Sequence, residues 1–398
     1  MREPGERVAA LSGIGQSEVG RRLGRSALEL CVDAALEAIA DAGLTVADID
    51  GVSSFPGAAP SPPGYSEVAA TELIGALGLE VSWYSGGKEV PSQLGSIVNA
   101  IAAVATGLAE HVLCFRVVNE SSATAATGRR GYKPSGPGGR ATGEQQWTLP
   151  FGRSAANWFG ALASRHFHEH GTTREHLGHL VIHSRRSAAR NPKAVFRDPM
   201  TMDEYLEGRM ISTPFCLYDC DIPVDGATAV IVSRRDGLAR PAAAVAVEAV
   251  GTALHGPFSY EQYPDMAATA AVDAARMLWS RTDAQPADVD LACLYDGFSW
   301  ITLSWLEALG FCGRGEAGPF AEEPGRLDLD GALPLNPHGG QLSAGRTHGF
   351  GFVHEACLQL RGEAGERQVG SRPGLAVVTN AGGPMAGCML LRTPALIT

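Results

Sequence analysis

Tyr295 closes the apolar run LACLY and is followed by Asp296, Gly297 and Phe298. Further along, Asn336, Pro337 and His338 lead into the pair Gly339-Gly340, and Gly345-Arg346-Thr347-His348-Gly349 lies just beyond. A tyrosine at a strand end, with an arginine and a histidine on a glycine-rich loop, suits proton transfer beside an oxyanion. A phenol acts as a base only if its pKa of ~10 falls toward neutrality. A neighbouring guanidinium such as Arg346 favours that by its fixed charge. Arginine is an implausible base but a good partner for an oxyanion. His348 is suited to shuttling a proton near neutral pH. Each also has a blander reading: a packing aromatic, a salt-bridged arginine, a structural loop histidine. Asn336 and His338 either orient their loop or bind substrate, and Gly339 and Gly340 let backbone approach closely. Asp296 either accepts neighbouring amides or tunes Tyr295.

The rest of the composition narrows the field. With 32 Lys and Arg against 43 Asp and Glu, the net charge is −11, which argues against nucleic acid as the main partner. A basic stretch, Arg129, Arg130, Lys133 and Arg140, either meets a phosphorylated ligand or is simply solvated. The eight cysteines are scattered with no CxxC pair, as buried free thiols in a reducing compartment are. His176, His179 and His183 share a helical face, but no carboxylate or cysteine joins them in a ligand pattern, so no metal is expected. No apolar run approaches the roughly 20 residues that span a bilayer. The start MREPGERVAALSG lacks the charged-then-apolar pattern of a signal peptide. A soluble, cytoplasmic protein is expected, with neither membrane nor nucleic acid as partner.

The elements that must position these residues come from a weak internal repeat. DAALEAIADAGLTVADIDGVSSF, from Asp33, matches DAARMLWSRTDAQPADVDLACLY, from Asp273, without a gap: Asp33, Asp48 and Asp50 align with Asp273, Asp288 and Asp290. Each copy reads as an amphipathic helix, a turn and a buried strand. Gly86-Gly87 and Gly339-Gly340 precede a further helical pattern in each half. VLCFRVVNE and LAVVTN read as central strands covered on both faces. Residues 121–214 differ, opening with TGRRGYKPSGPGGRATG and becoming helical and His-rich, which suits an inserted lid or binding subdomain. DGATAVIVSRR returns to the core.

Over nearly the whole chain these segments resemble the thiolase superfamily, notably AIAAVATGLAEHVL, ARNPKAVF, DGATAVIVS, YDGFSW, NPHGGQLSAGRTHG and NAGGPMAGCMLLR. LEALGFCGRGEAGPF and the stretch from LPLNPHGGQ resemble its thiolase-like lipid-transfer-protein group. The resemblance implies an α/β thiolase fold: duplicated βαβαβαββ halves in five layers, αβαβα. The expected division is 1–255, including the 121–214 insertion, and 256–398. It also places the two thiolase cysteines near Val90 and at Asn380, neither of which is cysteine. The acyl-enzyme route needs that thiolate.

The same resemblance implies a retro-aldolase that cleaves a bulky, steroid-like β-hydroxyacyl-CoA to a ketone or aldehyde plus a short acyl-CoA. Tyr295 would be its acid/base group, with Arg346 and His348 beside it. Arg346 stands where thiolases carry histidine and the aldolases tyrosine. Coenzyme A would enter as part of the substrate, with no separate cofactor, and Arg129 and Arg130 would contact its phosphates. A homodimer and a small OB-fold, zinc-ribbon companion are also implied. Two other readings stay open: an acyltransferase or condensing enzyme with an unorthodox nucleophile, and a non-catalytic lipid-binding subunit.

Overall fold

The computed structural model describes residues 4–57, 63–87, 90–128, 136–143, 145–152, 154–255, 265–370 and 372–393. Its strands are β1 (Ala9–Gln16), β2 (Gly51–Ser54), β3 (Trp83–Gly86), β4 (His111–Asn119), β5 (Met210–Ser212), β6 (Phe215–Cys216), β7 (Asp225–Arg234), β8 (Val245–Leu254), β9 (Leu291–Cys293), β10 (Leu375–Ala381) and β11 (Met385–Arg392). β5 and β6 form a separate hairpin, and the others run β3-β2-β4-β7-β1-β8-β11-β10-β9. Leu335 extends the far end by a parallel bridge to Ala292. From the centre outward, the same five-place order therefore occurs twice. The strands of the two copies pair where Ala10 meets Ala246 and Leu11 meets Val245.

The duplication also holds at single residues. The Asp50 carboxylate accepts the N–H groups of Glu110 and His111 at the start of β4. The Asp290 carboxylate accepts those of Gly374 and Leu375 at the start of β10. Asp48 and Asp288 likewise each accept the backbone N–H three residues earlier. A Cβ on Gly15 would lie 2.2 Å from the carbonyl of Ala34, and one on Gly251 would lie 2.1 Å from that of Ala274. Only glycine lets the helix sit that close to the strand in either copy.

The helices are α1 (Ala27–Asp41), α2 (Ala70–Leu77), α3 (Gly95–Ala105), α4 (Glu120–Thr127), α5 (Gln145–Thr148), α6 (Ala155–His170), α7 (Arg174–Ala188), α8 (Met202–Leu206), α9 (Ala270–Trp279), α10 (Ser299–Ala308), α11 (Ala317–Glu322) and α12 (Phe350–Arg361). α1 begins with a capping box between Ser26 and Glu29. Strand alternation assigns the layers. Leu113, Phe115 and Val117 of β4 pack outward with α1 and α2, while Val112 and Cys114 face inward with Ile97, Ile101 and Val104 of α3. α9 packs on β8 and β11, and α12 touches β9 and β10 as well as β1 and β7 of the other copy. The order is thus helix, sheet, central helices, sheet, helix.

β8 pairs with β11 and carries α9, so it belongs to the second copy. The copies therefore part before Val245, about ten residues earlier than the expected boundary at 255. The insertion occupies the link from β4 to β7 and holds α4 to α8 and the β5–β6 hairpin. The corresponding link from β10 to β11 is a short turn through Gly382, Gly383 and Pro384.

Candidate active site

The C-terminal ends of β4, β9 and β10 converge with the loop that enters α12. Asn336, at φ +44°, fixes the end of β9: its Oδ1 accepts from Leu294 N–H and its Nδ2 donates to Leu294 O, both at 2.8 Å. Tyr295 N–H donates to Thr379 Oγ1 at 2.9 Å. The Asn336 amide is bonded to backbone through both its oxygen and its nitrogen, so it orients the loop.

Asp296 accepts N–H groups from Gln341 (2.8 Å) and Leu342 (3.4 Å), the start of a π-helical turn at Gly340–Ala344. Burial pushes its pKa up to about 7, against the pull of those amides. A Cβ on Gly340 would lie 1.9 Å from Asp296 Oδ2, and one on Gly339 would lie 2.5 Å from the Ala188 Cβ of α7. The glycine pair therefore admits a carboxylate and a helix.

Tyr295 is 8% exposed, and its ring lies over Gly297, where a Cβ would come within 2.7 Å of Cε1. Burial, with the charge of Asp221 second, raises the phenol's pKa well above its ordinary value; Gln341 and Arg346 pull the other way without reversing it. Arg346 is tied up elsewhere: its Nε donates to Glu120 at 2.8 Å and its Nη1 to Asp221 at 2.9 Å. Asp221 and then Glu120 keep the guanidinium firmly charged despite its burial. The expectation that Arg346 would draw Tyr295 toward phenolate is thus corrected. Its charge is balanced by two carboxylates, and the phenol stays protonated at neutral pH.

His348, at φ +44° and buried, packs edge-on against Tyr65 with ring centroids 4.9 Å apart. Its Nδ1 is 2.9 Å from Nη2 of Arg116. Burial, with the charges of Arg116 and Arg346, holds its pKa well below the usual histidine value. A proton shuttle near neutral pH does not fit this ring. Arg116 escaped the sequence reading, although the signal was there: a charge in the middle of the apolar run VLCFRVV, at the inward parity of Val112 and Cys114.

Asn380 and the entry to α3 face each other, as the two thiolase cysteine positions should. Asn380 Oδ1 accepts Gln93 N–H at 3.0 Å, while its buried Nδ2 has no hydrogen-bond partner among the described residues. Ser92, just before Gln93, is fully buried at φ +62°, and its hydroxyl has no hydrogen-bond partner among the described residues.

His338 lies apart from Tyr295, across the ring of Phe352. It lines a cavity of about 500 Å³ with Lys193, His354, Glu355 and Arg361, whose walls do not include Tyr295, Arg346 or His348. Burial lowers its pKa to about 4. It lines a different wall from the Tyr295 group. Arg129, Arg130 and Lys133 lie outside the described residues, and Arg140 is exposed. Among the described residues no cluster of three or more His, Cys, Asp or Glu could hold a metal, and no helix is long and apolar enough to cross a membrane.

Fold and site together define a thiolase-like α/β protein whose two thiolate positions, near Val90 and at Asn380, hold no cysteine. Residues 252–391 match the family model for the thiolase C-terminal domain-like fold. The chain is 36% identical to a steroid side-chain-cleaving aldolase of Thermomonospora curvata, over 96% of this chain and 97% of that protein. It is 33% identical to the 17-hydroxy-3-oxo-4-pregnene-20-carboxyl-CoA lyase of Mycobacterium tuberculosis, over 96% and 98%. The solved Ltp2-ChsH2(DUF35) aldolase superposes with a TM-score of 0.85 at 32% identity, covering 99% of this chain and 100% of that one. The chain belongs to the thiolase-like family of these aldolases and lyases.

Proposed function

We propose that this chain is a carbon–carbon lyase that cleaves a bulky, steroid-like β-hydroxyacyl-CoA by a retro-aldol reaction. The products are a ketone or aldehyde and a short acyl-CoA. The observation that carries the reading is the buried Tyr295 phenol beside the Glu120–Arg346–Asp221 bridge, in a site with no thiolate. The names of the aldolase and lyase relatives support the substrate class.

In this reading the β-hydroxyl proton passes to a carboxylate of the bridge, Asp221 being the one whose charge Tyr295 feels. The C–C bond breaks, its electron pair forms the thioester enolate, and the carbonyl product leaves. Tyr295 gives its proton to the enolate carbon, and the carboxylate's proton restores the phenol. Asn380 Nδ2 is a donor without an acceptor among the described residues and suits the enolate oxygen.

Coenzyme A enters as part of the substrate, and no further cofactor is required by this scheme. A homodimer through the free edge of β3, where Tyr84 is 62% exposed, and a small OB-fold, zinc-ribbon companion complete the reading. The paired name of the Ltp2-ChsH2(DUF35) aldolase supports a companion. Eight free cysteines, seven of them buried, suit a cytoplasmic setting. The test is incubation of the purified protein, alone and with such a companion, with a β-hydroxyacyl-CoA bearing a steroid ring system, followed by product mass analysis. A ketone or aldehyde plus a shortened acyl-CoA is expected; acyl transfer without cleavage would move the reading to the acyltransferase class.

A further inference from the structure

Arg116 is a cation with almost nothing to balance it. It projects inward from β4, is 1% exposed, and has no carboxylate within 4.0 Å among the described residues. Its Nη1 donates to the carbonyl of Val117 at 3.0 Å, its Nε has no partner, and its guanidinium carbon stands 4.7 Å from the centroid of the Tyr65 ring. A buried, unpaired charge costs several kcal/mol by itself, so the position calls for an explanation.

The contact with His348 supplies one. A guanidinium has five donors, no acceptor, and keeps its proton throughout the accessible pH range. At 2.9 Å from Arg116 Nη2, Nδ1 of His348 must therefore be the acceptor, which leaves the ring proton on Nε2. A second proton on Nδ1 would set two N–H groups against each other. The charges around the ring reinforce this: Arg116 from β4 and Arg346 from its own loop oppose imidazolium, while Glu120 and Asp221 are paired with Arg346. Tyr65 presents its ring to both Arg116 and His348. Nε2 has no acceptor among the described residues.

We propose that Arg116 is a positioning residue that locks His348 as a neutral Nε2–H donor to the thioester oxygen as enolate charge develops there. The assignment of that oxygen rests on the lyase reading; the tautomer does not. His348 then acts without changing protonation state, and Arg116 adds a fixed positive charge behind it.

Nitrogen NMR of the ¹⁵N-histidine-labelled full-length protein, with His348 assigned through His348→Gln, reads the tautomer directly. The expected result is a protonated Nε2, a bare Nδ1 and no titration from pH 5.5 to 8.5. Arg116→Met removes donor and charge while keeping bulk; His348 should then titrate within that range. In the same variant kcat should fall roughly 10- to 100-fold with little change in KM, and the pH profile should gain an acid limb. Arg116→Lys keeps a charge and a donor, and should restore the tautomer and part of kcat. A proton on Nδ1 in the wild type, ordinary titration of His348 there, or an unchanged pH profile in Arg116→Met would each overturn the proposal. If Arg116→Met does not fold, the wild-type spectrum and Arg116→Lys still decide it. Failure of the lyase reading would show separately, as absence of cleavage by the wild type.

Discussion

Arg346 Nη1 lies 2.9 Å from Oδ1 of Asp221, and that contact, with the second bond to Glu120, balances the charge beside Tyr295. Removing Arg346 takes the balancing charge from two carboxylates that are 7% and 8% exposed. Arg346→Met should cost about 3 kcal/mol of stability, as breaking a buried pair does, read by denaturant unfolding. Arg346→Tyr, the residue usual in the aldolase group, should be similarly damaged alone. Adding Glu120→Gln should recover stability in the double variant; no recovery would mean that the bridge is not what the arginine serves.

Tyr295→Phe removes one hydroxyl from a packed ring. Cleavage should fall by on the order of 10²–10⁴, with the melting temperature and thioester binding nearly unchanged. A wild-type rate in this variant would exclude Tyr295 as the acid/base group.

Asp296, with its pKa raised to about 7, gives a signed pH effect on stability. A raised folded-state value stabilises the fold most below the ordinary carboxylate pKa of ~4, and that contribution is lost as pH rises through 7. The stability of wild type relative to Asp296→Asn should therefore decline between about pH 4 and 7 and level off above. A difference that is flat with pH would contradict the assignment.

No covalent acyl-enzyme should form. Seven of the eight cysteines are buried, and burial, followed by Glu307 and Glu316, pushes even the half-buried Cys312 thiol up to about 12. Mass spectrometry after mixing with an acyl-CoA should show unmodified protein, and iodoacetamide should inactivate it slowly or not at all.

The free edge of β3 predicts the assembly. Tyr84→Glu puts a charge on that edge, which disfavours strand pairing. Light scattering should show a shift from dimer to monomer, and an unchanged dimer would move the interface elsewhere.

The duplication was legible because its markers act locally. Asp48 caps a turn three residues away, and Asp50 reaches the next strand from a fixed place in the repeat. Tyr295, Arg346 and His348 were found as residues, but their states were not, because those depend on partners remote in sequence. Arg346 is set by Glu120, 226 positions away, and Asp221, 125 away. His348 is set by Arg116, 232 positions away. Asn336 and His338 share one loop, yet the Asn336 amide is bonded to the Leu294 backbone and the His338 ring turns toward a separate cavity. Sequence spacing carries no information about which way a loop side chain faces.

The link between β4 and β7 leaves and re-enters the sheet at neighbouring points, since Asn119 pairs with Asp225. Arg346 holds Glu120 and Asp221, one at each foot of that excursion. The equivalent link in the second copy is a short turn on an intact framework. One guanidinium therefore fastens both feet of the excursion to the loop that enters α12. A chimera that exchanges the excursion between relatives would have to carry a carboxylate at each foot for Arg346 to stay where it is.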